Sequence, residues 1–558
     1  MTEVKVFALG GLGENGKNMY AVDVNNELFI LDAGLKYPTN ELYGVDEIIP
    51  DYKMLVAARR RIVGIFISHA HEDHIGALPY MLKELNVPIY GTPLSIELIK
   101  DSLLEADHNL DDYFFHTVNT NTTLPFNNAK VTFFATTHSI PESVGIAVET
   151  DLGSIVYTSE YTFNQIKDPK YKTDFKQINE IANRGVLAVL VESAGSYHTG
   201  FRNIDLLRHQ IENIFTNAKG RIIVSLFSSD LQKIQWVINI SIAHQKKIAV
   251  VGRKAQRIVD IALKNGYLDI PSDAFVNLRY IDDKNKNNQE DLVAIVIGKR
   301  HEPFYMLQRM ARKIDRLIHI ESKDTVVLLT PPIPGTETMA ARTLDVLYRG
   351  DSQIKIIDKT LLSTSHASQE EVKMMINLLR PEFVIPVIGE YQHQIRVKNL
   401  ASQIGYEDDK ILILDNGDVA TFKPKANYVS KKDIRTEDIL IDGTPLDDNN
   451  DVILRDRELL AEDGVVMVIA NVNPKTREIL NDDIEIITKG FSYYHESINI
   501  LDQIREIFLE VSKKELIAKY VDWNSYKRNF RNETSKYIYQ KTRRNPIIIP
   551  VIIGTELD

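Results

Sequence analysis

Residues 63–74 read Val63-Gly64-Ile65-Phe66-Ile67-Ser68-His69-Ala70-His71-Glu72-Asp73-His74. A compact apolar run of strand type ends at Ser68, and an imidazole- and carboxylate-rich segment follows at once. In extended chain, His69 and His71 project to one side, because side chains alternate with period two. A turn into a helix then sets Asp73 and His74 beside them. Imidazole and carboxylate together are the ligand set of Zn²⁺ or Mn²⁺. A single histidine is usually structural, but this density of donors at a strand end predicts a metal centre.

Working outward, Val4–Gly10, Met19–Val24 and Glu27–Asp32 read as short strands, the last two joined by the turn pair Asn25-Asn26. Lys130–Ala135, Val144–Thr150 and Ser154–Thr158 continue a strand-rich α+β pattern. Near residue 203 the pattern changes. Ile204, Leu207, Ile211 and Phe215 recur at helical spacing, and strands at Arg221–Phe227, Lys247–Val251, Leu292–Gly298, Thr325–Pro331 and Ile354–Ile357 alternate with helices. That alternation predicts a doubly wound parallel α/β domain. A polar stretch rich in Asp and Asn at 425–450 is expected to be a linker, and 451–558 a smaller unit around a long helix near Ile498–Lys514.

The 558 residues carry 77 acidic and 66 basic side chains, a net charge of −11, which argues against a polycation that coats nucleic acid indiscriminately. The absence of cysteine excludes disulfide scaffolds, thiolate zinc sites, iron–sulfur clusters and cysteine nucleophiles. The start of the chain has no basic segment leading into a long apolar run, and no stretch approaches the ~18 apolar residues of a spanning helix. A soluble, cytoplasmic protein without a membrane role is expected. Gly11-Leu12-Gly13-Glu14-Asn15-Gly16-Lys17 imitates nucleotide-binding glycine motifs, yet the strand-like Met19–Val24 follows where phosphate binding needs a helix N-terminus. Neither nucleotide reading is adopted.

His-x-His-x-Asp-His after an apolar strand resembles the metallo-β-lactamase fold, whose two-metal site draws further ligands from later strand ends. The segment 204–355 resembles the β-CASP insert of nucleic-acid-cutting members. Gly10–Asn18, Ser365–Glu370, Pro386–Tyr391, Val452–Arg457 and Lys541–Arg544 resemble the bacterial ribonuclease J family, across nearly the whole chain. The resemblance implies an αββα sandwich (1–203 and 356–424) with an inserted β-CASP doubly wound α/β domain (204–355). It also implies a linker (425–450) and a small C-terminal α+β oligomerisation domain (451–558). It further implies two divalent ions, Zn or Mn, held by His69, His71, Asp73, His74, His138 and Glu160. Asp73 and His366 would be catalytic. Ser229, Asp230, Leu231, Leu362, Ser363, Thr364, Ser365 and His366 would line a phosphate pocket. The implied activity is 5′-to-3′ exoribonuclease, with endonuclease cutting, in mRNA decay and rRNA maturation. The implied partners are RNA with a 5′-monophosphate, further copies in a dimer or tetramer, and an active paralogue in a heteromer.

The chain departs from the family pattern at four places. Ile388 stands where the family has a ligand histidine, and Glu160 where it has a bridging Asp. The segment Leu362–His366 has lost one histidine and a glycine of His-x-Ser-Gly-His, and Asp230 replaces an Asn. A methylene moves a carboxylate by over ~1 Å against a metal–ligand tolerance of about 0.2 Å, so Glu160 needs backbone or rotamer adjustment to bridge. Ile388 removes a donor outright. A weak second ion and a weak, Mn²⁺-favouring nuclease are therefore expected, like the family's second, low-activity paralogue. The alternative is a catalytically inactive RNA-binding and assembly subunit. A small-molecule hydrolase on this fold is disfavoured by the large insert. Arg59-Arg60-Arg61 and Lys541–Arg544 are candidate phosphate contacts, Tyr493-Tyr494 a candidate interface pair, and Asp442 a candidate structural-cation ligand with carbonyls around Tyr43 and Val45.

Overall fold

The computed structural model describes residues 2–554, apart from 39–43, 165–167, 201–203, 253–254, 277, 279–289, 334, 363–364, 446–449, 474, 492–496 and 517–520. Two compact units divide the chain: Met1–Thr39 with Asp46–Pro445, and Asn40–Val45 with Leu446–Asp558. No helix among the described residues is long and apolar enough to cross a membrane.

The first unit contains two sheets face to face. One has eight strands, with Val4–Gly10, Met19–Val24, Glu27–Leu31 and Ile62–Phe66 adjacent at its centre. The other has six, in the order Phe383–Val387, Val186–Glu192, Gly153–Tyr157, Val144–Thr150, Lys130–Ala135, Thr123–Pro125. Alternation divides the strands between layers. Val4, Val6 and Ala8 pack inward against Val131, Phe133, Ile146 and Val148 of the opposite sheet. Phe7 and Leu9 turn outward onto a second apolar cluster with Leu78, Met81, Ile96 and Ile99. Helix Gln369–Leu379 covers the far face of the six-stranded sheet through Val372, Met375 and Ile376. This is the expected αββα sandwich.

The insert is a five-stranded, all-parallel sheet in the order Lys247–Val251, Leu292–Gly298, Ile222–Phe227, Thr325–Leu328, Gln353–Ile356, with helices packed on it. It lies between two neighbouring parallel strands of the sandwich, since Val186–Glu192 pairs directly with Phe383–Val387, Glu192 opposite Val387. The chain therefore leaves and re-enters the sandwich at one edge of one sheet. At the same end of that sheet Ala135, Tyr157, Glu192 and Val387 close their strands, and the loops that follow carry the candidate site.

The segment expected as a linker contains strands. Ala426–Ser430 pairs with Val419–Lys423, and Asp438–Asp442 pairs with Glu47–Pro50. Its acidic composition misleads because the charges are matched within the fold. Lys17 and Lys36 both ion-pair Asp438, while Leu440 and Ile441 are buried. Desolvation works to raise the Asp438 carboxyl, but the Lys17 and Lys36 cations overcome it and hold the group below its ordinary range.

In the second unit, Ile479–Lys489, Val465–Val472 and Ile547–Gly554 form a sheet backed by helices Ser497–Glu515 and Trp523–Thr542. Val466, Val468, Ala470 and Ile548 face Ile504, Phe508, Tyr526 and Phe530.

Candidate metal centre

The glycine-rich segment is a turn beside the site and not a nucleotide loop. Leu12–Gly13 pairs with Gly389–Glu390. At Gly11, φ is +90° and a Cβ would lie 2.3 Å from the Tyr20 hydroxyl, so only glycine fits.

Four donor atoms converge on a first pole: His69 Nε2, His71 Nδ1, His138 Nε2 and Glu160 Oε2. His71 Nδ1 lies 3.1 Å from both His69 Nε2 and His138 Nε2. Glu160 Oε2 is 2.9 Å from His138 Nε2, 3.5 Å from His69 Nε2 and 3.9 Å from His71 Nδ1. Donors about 2.1 Å from a tetrahedral cation stand about 3.4 Å from each other, so this set fits a divalent ion. Each ring is oriented through its other nitrogen. His69 Nδ1 meets Ser68 Oγ at 3.0 Å, His71 Nε2 the Ser229 carbonyl at 3.3 Å, and His138 Nδ1 the Ser365 carbonyl at 2.9 Å. Such partners fix tautomer and direction. Burial pushes His69 and His138 below the ordinary imidazole range, which keeps their lone pairs available.

A second pole is drawn by Asp73 Oδ2, His74 Nε2 and Glu160 Oε1. His74 Nε2 is 3.5 Å from the Asp73 oxygen and 3.7 Å from the Glu160 oxygen. Glu160 thus sends one oxygen to each pole from a fully buried position, after Ser159 at φ +52°. Its longer side chain is accommodated at the turn. Burial works to raise its carboxyl, yet His366 and His138 hold it well below the ordinary range.

Ile388 adds no donor here. Its side chain is buried in the sandwich core, and its N–H donates to the Tyr20 hydroxyl at 3.1 Å. It has φ +54°, a left-handed conformation that costs a β-branched residue of order 1–3 kcal/mol.

His366 Nδ1 pairs with Glu192 Oε1 at 2.8 Å and lies 3.6 Å from Glu160 Oε1. Glu192 is fully buried and also accepts from the Ala367 and Tyr161 amides. Desolvation raises its carboxyl above the usual range. The pairing fixes the His366 ring through its Nδ1.

Of the pocket residues expected from sequence, Ser229 and Ser365 stand beside the converging imidazoles through their carbonyls. Leu231 and Leu362 instead turn their side chains into the core of the insert, because each is apolar and close to its sheet. Asp230 caps helix Leu231–Ala243, accepting from the Lys233 amide at 3.0 Å and ion-pairing the Lys233 side chain. Its carboxylate is engaged by its own helix. Ser363 and Thr364 lie outside the described residues, as do Tyr43, Tyr493 and Tyr494. Arg61 ion-pairs Asp23, and Arg59 donates to the Asn86 carbonyl.

Three residues that matter escaped the sequence reading. Asp32, buried at φ +61°, accepts from His74 Nδ1, the Ser68 amide and hydroxyl, and the Tyr157 hydroxyl, all within 2.8 Å. An acid closing an otherwise apolar strand was the available signal. Glu192, at the end of Val186-Leu187-Ala188-Val189-Leu190-Val191, carries the same one. Asn18 is the third.

Residues 12–184 match the family model of the Metallo-beta-lactamase superfamily, and 356–412 that of the Zn-dependent metallo-hydrolase RNA specificity domain. Residues 219–347 match Ribonuclease J, beta-CASP domain, and 452–555 the Ribonuclease J C-terminal domain. Ribonuclease J 2 of Staphylococcus epidermidis (strain ATCC 35984) is 37% identical over 551 residues, covering 99% of this chain and 98% of that protein. Ribonuclease J 2 of Staphylococcus aureus (strain MRSA252) is 37% identical over 552 residues, with the same coverage. A crystal structure of a protein of unknown function from Enterococcus faecalis V583 shares the fold at TM-score 0.51 and 12% identity, covering 76% of this chain and 100% of that one.

Proposed function

The chain belongs to the ribonuclease J family, and from that premise we propose that it is a metal-dependent 5′-to-3′ exoribonuclease, with endonuclease cutting, that is weak and Mn²⁺-favouring on its own. One observation carries the reading: three imidazoles and one carboxylate oxygen converge at tetrahedral spacing on the first pole, while the second has three donors and Ile388. A bound divalent ion supplies charge stabilisation at a phosphodiester and a more acidic water.

The chain's own residues do the rest. His69, His71, His138 and Glu160 would hold the first ion, and Asp73, His74 and Glu160 the second. Asp32 fixes the ring of His74 through its Nδ1 hydrogen bond. Glu192 orients His366 so that Nε2 can deliver a proton to the leaving oxygen. Mn²⁺ accepts carboxylate and water ligands more readily than Zn²⁺, which suits a second pole short of one imidazole.

The substrate in this reading is RNA with a 5′-monophosphate, in mRNA decay and rRNA maturation in the cytoplasm. Assembly with further copies and with an active paralogue is assigned to the C-terminal domain. Its sheet supports this: Val465, Met467, Ile469, Ile547, Ile549 and Val551 share the face opposite the helices and are only half-buried, with Ile487 and Ile553 exposed. A second reading, an assembly subunit without catalysis, is favoured by the missing donor at Ile388 alone.

The test is degradation of 5′-monophosphorylated RNA by purified protein in Mn²⁺, Mg²⁺ or Zn²⁺, beside His71→Ala. We expect slow cutting, fastest in Mn²⁺ and abolished in His71→Ala. Equal cutting by both proteins would point to a contaminant and leave the assembly reading.

A further inference from the structure

A group of the chain stands against the second pole. Asn18 is fully buried, and its Nδ2 donates to Asp73 Oδ2 at 3.2 Å and lies 3.2 Å from His74 Nε2. Those are two of the three atoms to which a second ion would bind. The amide is supported from behind by the Tyr20 hydroxyl, whose one proton is shared between Asn18 Oδ1 and the Gly11 carbonyl, each at 3.1 Å. A flipped amide would set its carbonyl oxygen against the Asp73 carboxylate. Burial keeps the Tyr20 phenol far above its ordinary range, so the hydroxyl remains a donor.

Ile388 completes the chain of contacts. Its N–H is shared between the Tyr20 hydroxyl and the Gly11 carbonyl, each at 3.1 Å, so position 388 backs the Tyr20–Asn18 contact through its backbone in place of supplying a ligand. Nor can Asn18 withdraw easily. Its N–H donates to the Asp73 carbonyl at 3.1 Å, and its carbonyl accepts from Gly34 at 2.9 Å. Gly34 permits that approach, since a Cβ there would fall 1.7 Å from the Asp73 carbonyl oxygen. A buried donor held on three sides by hydrogen bonds is costly to displace, because each partner would be left unsatisfied.

We propose that the Asn18 amide occupies the place of the second cation, making this a one-ion centre whose second pole is closed by an internal hydrogen-bond donor. This rests on the first pole of the metal reading above and replaces that reading's weak second ion by none. Losing an imidazole weakens an ion; an amide seated among the remaining donors excludes it until the amide moves.

The experiment counts Mn²⁺ bound to the full chain by loss of the free-ion electron paramagnetic resonance signal, and locates ions by anomalous scattering. We expect one equivalent, at His69, His71 and His138. Asn18→Asp replaces the donor by a carboxylate and should bind two, with spin coupling between them. Tyr20→Phe releases the amide and should rise above one equivalent, which keeps the idea testable if Asn18→Asp does not fold. Two full equivalents in the unaltered protein would overturn the proposal, as would Ile388→His reaching two with the amide unmoved. A folded Asn18→Asp protein that stays at one would overturn it equally. Absence of an ion at the three imidazoles is a different failure, since it removes the metal reading itself.

Discussion

The two poles share one carboxylate and differ in almost everything else. At the first, three buried or nearly buried imidazoles each have one nitrogen tied to a hydroxyl or carbonyl and the other turned inward. At the second, the single imidazole is bonded to Asp32 and faces an amide. The electrostatics differ as well. Burial drives His69 and His138 below the ordinary range. For His74, desolvation pulls the same way, but Asp73 and Asp32 win and hold it well above. At one pole the donor atoms face each other directly, while at the other an amide N–H stands against two of the three donors. Ligand identity alone does not make a metal site; the state of each donor in the absence of metal decides it.

The largest expected effect breaks the comparison at its strong side. His138→Ala should lower Mn²⁺-supported RNA cleavage at least about 100-fold, since changes to outer partners of ligands already cost about 10–100-fold. Asp73→Asn, on the other side, should cost less than about 10-fold. Paired initial rates of the two variants measure the asymmetry directly, and equal losses would erase it.

Next comes the proton-handling pair. Glu192→Gln should reduce kcat about 10- to 100-fold while the bound Mn²⁺ stays at one equivalent, because Glu192 acts through His366 and touches no cation. Glu192→Asp should recover part of the rate, and the pH profile should shift with the altered partner. A loss of metal in Glu192→Gln would place the residue with the first pole instead.

The smallest effect is in pH. Against desolvation, Asp73 and Asp32 raise His74 well above the ordinary imidazole range, so once the amide is gone a second ion must compete with a proton there. His69 and His138, lowered, are already neutral. In Asn18→Asp, second-ion occupancy should therefore grow about several-fold from pH 6.5 to 8 while the first stays flat. Occupancies that change in parallel would show the two poles to be electrostatically alike.

The fold was legible where the pattern was local. Val4–Gly10, Met19–Val24, Lys247–Val251 and Leu292–Gly298 occur as read, because period-two burial and turn pairs are written along the chain. Asp438–Asp442 was hidden because its acids are neutralised by Lys17 and Lys36, far away in sequence. Ile479–Lys489 was hidden because Asn481-Asp482-Asp483 interrupts its alternation.

The same division holds for the site. The sequence by itself determined which donors exist: a histidine-rich loop, two later donors in His138 and Glu160, and an isoleucine lacking any lone pair. Only the tertiary structure decided what stands between them. Asn18 and Asp73, Tyr20 and Ile388, Glu192 and His366 are neighbours through hydrogen bonds between segments far apart in sequence, with no periodicity to join them. Hydrogen bonds act over about 3 Å of space whatever the separation along the chain, so the closure of the second pole came into view only with the fold.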